Sequence, residues 1–191
     1  MVATIGVLAL QGAFTRHQAT LERLGCQTVA VRYPRDLERL DGLVIPGGES
    51  GTISRQLDSS GLRQPIITFA GEKPVLGTCA GLIIMSRETA GSQVQGLDLL
   101  DLDVVRNGWG RQAHSFTFSL PVTLNGHSED LPAIFIRAPR ITRVGQGVEV
   151  LAAIDGEPVL VRQGRHLGAT FHPELTADTR IHQLFLRAVE E

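Results

Sequence analysis

Val75-Leu76-Gly77-Thr78-Cys79-Ala80-Gly81-Leu82 is the stretch on which the reading of this chain turns. An apolar run ends in Gly-x-Cys-x-Gly and passes at once into residues that suit a helix. The pattern predicts a buried strand, a sharp turn and a helix, with cysteine at the apex where a nucleophile elbow carries its reactive side chain. Glycines flank such a turn because neighbouring backbone passes too close for a side chain. The turn presents Cys79 at the carboxyl edge of a sheet. The helix start behind it offers free N–H groups and a positive dipole end, which favour a thiolate and a developing oxyanion.

Working outward, Thr4 to Leu10 is another apolar run of strand length. After Gly12 a helical pattern runs from Ala13 to Leu24, with Phe14, His17, Leu21 and Leu24 at helical spacing, and Gly25 stops it. Gln27 to Arg32 and Leu43 to Ile45 read as strands. Ser50 to Leu57, a stretch ending near Gly71, and Leu82 to Arg87 read as helices. This alternation around continuously apolar strands predicts an α/β fold, its central sheet mostly parallel with helices on both faces. Downstream, Leu102 to Arg106, Ser115 to Leu120, Ile134 to Arg137, Glu149 to Ile154, Pro158 to Gln163 and His166 to Phe171 read as β. Asp155-Gly156 and Gly164-Arg165 mark tight turns. Thr176 to Val189 reads as a closing helix. With no repeat, linker or low-complexity tract, one domain over residues 1–191 is expected.

Composition narrows the class. Of 191 residues, 42% are hydrophobic and 20% charged, enough apolar material for a core and too much for disorder. A net charge of −2 argues against a nucleic-acid binder. The two cysteines, Cys26 and Cys79, exclude a disulfide scaffold, and nothing near them has metal-ligand spacing. Cys26 reads as a small hydrophobe near a strand start. The N-terminus lacks a basic region before its apolar run, and no run approaches the ~18 apolar residues of a membrane span. A cytoplasmic protein is expected, with no membrane partner and no metal.

A cysteine nucleophile needs a base, and the base an orienting group. The apolar run Leu167 to Phe171 leads directly into His172-Pro173-Glu174, so His172 emerges at a strand end with Glu174 two positions on to hold its imidazole. His17 and His182, on helices, read as surface residues, as do His127 in a polar turn and His114 in a loop. Pro46-Gly47-Gly48-Glu49-Ser50 follows a third strand and exposes backbone N–H groups for an oxyanion or a carboxylate.

Gly77 to Gly81, Pro46 to Ser50 and His172 to Glu174 together resemble the class I, or triad, glutamine amidotransferases. Ala9-Leu10-Gln11-Gly12-Ala13, Arg106-Asn107-Gly108-Trp109-Gly110-Arg111-Gln112 and Phe135-Ile136-Arg137-Ala138-Pro139 narrow the resemblance. They are similar to the glutaminase subunits of two-component pyridoxal 5′-phosphate synthases. The resemblance implies a flavodoxin-like, single-domain amidotransferase fold, L-glutamine as substrate, no cofactor, and a synthase partner in a large hetero-oligomer. It implies a triad of Cys79, His172 and Glu174, and an oxyanion hole from the N–H groups of Gly48 and Ala80. Gly48, Glu49, Ser50, Arg106, Ile136 and Arg137 would contact glutamine. Gln11 would couple the site to the partner, and the chain alone would be a poor glutaminase. Two departures stand out: Gly51 replaces the usual threonine and is expected to loosen its loop, and Trp109 replaces phenylalanine. The alternatives are a glutaminase serving another synthetase, a cysteine peptidase on the same fold, which would not need the Arg106 and Ile136 motifs, and a non-catalytic flavodoxin-like phosphate-binding module, in which Cys79 would not react selectively with a glutamine-like electrophile.

Overall fold

The computed structural model describes residues 2–109, 115–124 and 127–191. Its main sheet holds seven strands in the order β10-β11-β12-β4-β3-β1-β2. These are β1 (Thr4–Leu8), β2 (Gln27–Val31), β3 (Gly42–Ile45), β4 (Val75–Thr78), β10 (Val148–Ile154), β11 (Glu157–Gln163) and β12 (His166–Ala169). From β12 to β2 every pairing is parallel, while β10, β11 and β12 run antiparallel. The four strands β12, β4, β3 and β1 thus lie side by side with their carboxyl ends at one edge.

Both faces of this sheet are covered, which explains its continuously apolar strands. Leu43, Ile45 and Val75 point into one core with Ile53 and Leu57 of α2 (Ser50–Ser59), Ile66 of α3 (Arg63–Ala70) and Leu82 of α4 (Ala80–Met85). The alternate residues Ile5, Val7, Val44 and Leu76 point into the other, with Leu21 of α1 (Phe14–Arg23) and Ile181 and Phe185 of α5 (Arg180–Glu190). A two-stranded ribbon, β7 (Ser115–Leu124) with β8 (His127–Ile136), adds Leu120, Leu131 and Phe135 to that second core. A small sheet of β5 (Ser86–Ala90), β6 (Leu100–Val105) and β9 (Arg140–Val144) extends the first. No helix of the described residues is long and apolar enough to cross a membrane.

Several elements differ from the sequence reading, the ribbon strands among them: β7 runs on to Leu124 where Leu120 was expected, and β8 begins at His127 where Ile134 was expected. The helix expected over Leu82 to Arg87 spans Ala80–Met85, because the Ser86 hydroxyl donates to the Ile83 carbonyl at 2.7 Å and the chain turns extended into β5. The helix expected from Thr176 begins at Arg180, where the Asp178 carboxylate accepts from the Arg180 N–H at 2.9 Å and fixes the start. Strands β5 and β9, unpredicted, are short segments whose pairing with β6 comes from tertiary context.

Candidate active site

Cys79 stands at the elbow between β4 and α4 with φ 51° and ψ −109°, a conformation that costs energy for any side chain. Its surroundings enforce it. The Cys79 N–H donates to the Ala169 carbonyl of β12 at 2.8 Å, so the neighbouring parallel strand anchors the turn. The glycines on either side leave room for that packing. A Cβ on Gly81 would lie 1.8 Å from the Ile45 carbonyl oxygen, and one on Gly77 would lie 2.5 Å from the Met85 sulfur. The Ala80 N–H opens α4, where no intrahelical acceptor is available to it.

His172 follows β12, the strand beside β4, and its backbone N–H donates to the Ile134 carbonyl at 2.8 Å. Its Nδ1–H donates to Glu174 Oε1 at 2.7 Å, and its ring and the Cys79 side chain both pack against Gly47 in the same cleft. Burial pulls the His172 pKa down, but the bonds and charges of Cys79 and Glu174 outweigh it and push the imidazolium up to about 10. For Glu174, 4% exposed, burial raises the carboxyl, yet the His172 bond and the nearby histidines hold it below the ordinary carboxylate value. Sulfur, imidazole and carboxylate therefore form one polarised chain. Gly47 lies against it: a Cβ there would stand 2.6 Å from His172 Cε1.

These groups open into a cleft of ≈ 330 Å³. Cys79, Ala80, His172, Gly48 and Gln11 line it on the sheet side; Glu49, Ser50, Arg106, Ile136 and Arg137 line the rest. Of the residues given a catalytic, oxyanion, glutamine-contacting or coupling role from sequence, Glu174 alone does not line it, being buried behind His172. Gln11 Oε1 accepts from the Glu49 N–H at 2.7 Å, tying the end of β1 to the loop after β3. Arg106 pairs with Glu49 at 2.5 and 3.2 Å across the cleft mouth. The Cys79 sulfur lies 3.9 Å from the Ile136 carbonyl oxygen. Ser50 Oγ is buried without a hydrogen-bond partner. Ile83, which the sequence reading passed over, and Asn107, which it quoted in a motif without a role, also line the cleft. Asn107 and Arg137, like Cys79, are left-handed non-glycine residues, with φ 50° and 42°.

Gly51 is the second residue of α2, not part of the loop, and a side chain there would meet nothing closer than Arg55 at 3.6 Å. Trp109 donates its indole N–H to the Pro139 carbonyl at 3.2 Å and packs edge-on to Phe116. Gly110, Arg111 and Gln112 of the same motif, and His114, lie outside the described residues.

The largest correction concerns His17 and His182, expected at the surface. Both are 0% exposed. His17 lies on the apolar stripe of α1 with Leu21, so its helical spacing already carried the signal; the polar side chain obscured it. His182 follows Ile181 on the buried side of α5. Burial between two helices and the sheet keeps both titrations below the ordinary value, His182 at about 3. Among the described residues no cluster of histidine, cysteine or carboxylate side chains is arranged to hold a metal ion.

Comparison with known proteins adds sequence kinship to this geometry. Residues 7–191 match the model of the SNO glutamine amidotransferase family. The chain is 50% identical over 185 residues to pyridoxal 5′-phosphate synthase subunit PdxT of Koribacter versatilis, covering 97% of this chain and 95% of that protein. It is 51% identical over 183 residues to the subunit of that name from Pelotomaculum thermopropionicum, covering 95% and 93% of the two chains. A crystal structure titled as a glutamine amidotransferase superposes with a TM-score of 0.92 at 43% identity, covering 98% of this chain and 99% of that one.

Proposed function

Because the chain belongs to the SNO glutamine amidotransferase family, we propose that its cleft hydrolyses L-glutamine with Cys79 as nucleophile, His172 as proton carrier and Glu174 as orienting group. The chain is the glutaminase subunit of a pyridoxal 5′-phosphate synthase: it releases ammonia for the synthase subunit and leaves L-glutamate. The observation that carries the reading is the strained Cys79, sharing its cleft with an imidazole whose Nδ1 is held 2.7 Å from a buried carboxylate.

The chemistry follows in two halves. Cys79 sulfur attacks the side-chain amide carbon, and the carbonyl oxygen takes up negative charge between the N–H groups of Gly48 and Ala80. His172 gives its proton to the departing nitrogen, which leaves as ammonia, and a thioester remains. His172 then takes a proton from water as the water attacks the thioester, and returns it to sulfur as glutamate departs.

At the other end of the cleft, Glu49 suits the substrate ammonium and Arg106 its α-carboxylate, with Ser50 Oγ and the backbone at Ile136 and Arg137 completing the contacts. Arg106 and Glu49 are 40% and 42% exposed, so their mutual pair contributes at most ~1 kcal/mol. A zwitterionic amino acid replaces it with two pairs at little cost.

The synthase subunit binds in a large hetero-oligomer in the cytoplasm and switches the site on. Gln11 supports this coupling: it grips the Glu49 N–H, beside the Gly48 donor, while Gly12 (φ 93°) packs so close to Gly47 that a Cβ would meet its carbonyl. The test is glutamine turnover with and without the synthase subunit, together with alkylation by a glutamine-like electrophile. Modification at Cys79 and not Cys26, protection by L-glutamine, and activation well above threefold are expected. Labelling spread over both cysteines refutes the site. An effect below about threefold refutes the coupling, since one lost oxyanion donor typically costs ~10²–10³.

A further inference from the structure

Behind the triad lies a second polar group that the mechanism above does not use. His17 Nε2 sits 3.2 Å from Thr78 Oγ1 and 3.3 Å from Glu174 Oε2, and His17 Nδ1 sits 3.0 Å from His182 Nε2. All these side chains are buried. The 3.3 Å contact falls outside hydrogen-bond geometry, so among the described residues Glu174 Oε2 has no hydrogen-bond partner, and neither has His182 Nδ1.

The direction of the protons follows from what each atom faces. Burial depresses both histidines, with Glu174 and His172 acting on His17, and His17, Glu174 and Arg23 acting on His182. Each ring is therefore neutral and carries one N–H. If His17 carried it on Nδ1, its Nε2 lone pair would face a carboxylate and His182 Nδ1–H would be a buried donor without an acceptor. With the protons on His182 Nε2 and His17 Nε2, both faults vanish: the atoms left bare, His182 Nδ1 and Glu174 Oε2, are acceptors, and no histidine N–H lacks an acceptor. His182 donates to His17, and His17 directs its N–H at Thr78 Oγ1 and the open oxygen of Glu174.

We infer that His17 is a positioning residue for glutamine hydrolysis, acting through Glu174. The inference rests on the triad reading above. The terminal torsion of a glutamate side chain is broad and nearly two-fold, so one hydrogen bond at Oε1 leaves the carboxylate free to rock about that bond. The His17 N–H beside Oε2 acts as a stop, fixing the plane that Glu174 presents to His172 and stabilising its charge while the imidazole passes its proton. His182 holds the tautomer that makes this possible.

The experiment compares His17→Gln, which carries an N–H₂ donor at a reach similar to ring Nε2, with His17→Phe, which keeps the ring shape without it. His17→Asn, whose donor stops short, is the second donor-free variant if phenylalanine does not fold. All are assayed in the assembled complex with the synthase subunit. The donor-free variants are expected to lose about tenfold in kcat, with KM for glutamine within about twofold of wild type. Their acid limb of kcat is expected to move to higher pH, because Glu174 without its donor protonates more readily. His17→Gln is expected to recover most of kcat and the original limb. Unchanged kcat and pH profile in the donor-free variants overturn the inference, as does a His17→Gln no better than they are. Cys79→Ala, run alongside, separates the two readings: turnover in that variant sinks the triad itself, whereas its inactivity with a fully active His17→Phe sinks only the role of His17.

Discussion

The two ends of the cleft are built differently. At the end proposed to do the chemistry, Cys79, His172 and Glu174 stand at the ends of adjacent parallel strands, enclosed by two cores and locked by backbone bonds to β12 and β8. At the end proposed to bind substrate, Glu49, Arg106 and Arg137 project from loops, and the Arg106–Glu49 ion pair is about 40% exposed. Reacting atoms need fixed geometry, which a sheet edge supplies. A substrate that must enter and leave is better met by loops whose contacts exchange easily.

This contrast is broken most severely at the chemical end. Cys79→Ala is expected to abolish turnover in the assembled complex by several orders of magnitude with the fold retained, and Cys26→Ala to be nearly silent. His172→Asn should fall almost as far, because it removes the proton carrier for both halves of the reaction. Glu174→Gln should cost less, since the imidazole stays. Steady-state kinetics on the three variants check the order, and a Glu174→Gln more damaged than His172→Asn reverses the roles. At the recognition end, Arg106→Ala is expected to raise KM for glutamine about tenfold while leaving kcat within about threefold. A collapse of kcat instead would mean that this end, too, acts on the reacting atoms.

Acid sharpens the comparison through stability. His17, His182 and Glu174 all have folded pKa values below their ordinary ones. Their contribution is therefore present above 6.5 for the histidines and 4.5 for the glutamate, and is lost as pH falls through the folded values, about 3 for His182. His172 has the opposite sign: raised to about 10, it contributes fully below 6.5 and loses that contribution as pH climbs. Tm is expected to drop by a few degrees between about pH 7 and about pH 5. His182→Leu should flatten that drop and Arg106→Ala should leave it unchanged. A flat wild-type profile contradicts the buried-neutral assignment.

The same contrast explains what the sequence disclosed. The parallel sheet was legible because strands buried on both faces leave unbroken apolar runs, as at Thr4–Leu8 and Val75–Thr78. The elbow was legible because close backbone packing admits only glycine at positions 77 and 81. Strand β9 was not, because its pairing with β6 depends on residues far away in the chain. His17 and His182 were misjudged for a related reason. A buried histidine needs polar partners, and those partners, Thr78, Glu174 and each other, come from four separate segments. Helical spacing placed His17 on the apolar stripe, but only the assembled fold supplies what satisfies it.

The bond from the Cys79 N–H to the Ala169 carbonyl bears on the order of biosynthesis. The elbow leaves the ribosome long before the strand that anchors it, and His172 follows that strand. An unfinished or C-terminally clipped chain therefore carries a thiol with neither its base nor the backbone bond that helps hold its strained turn. The proposed site is therefore complete only once residues 166–174 have been made.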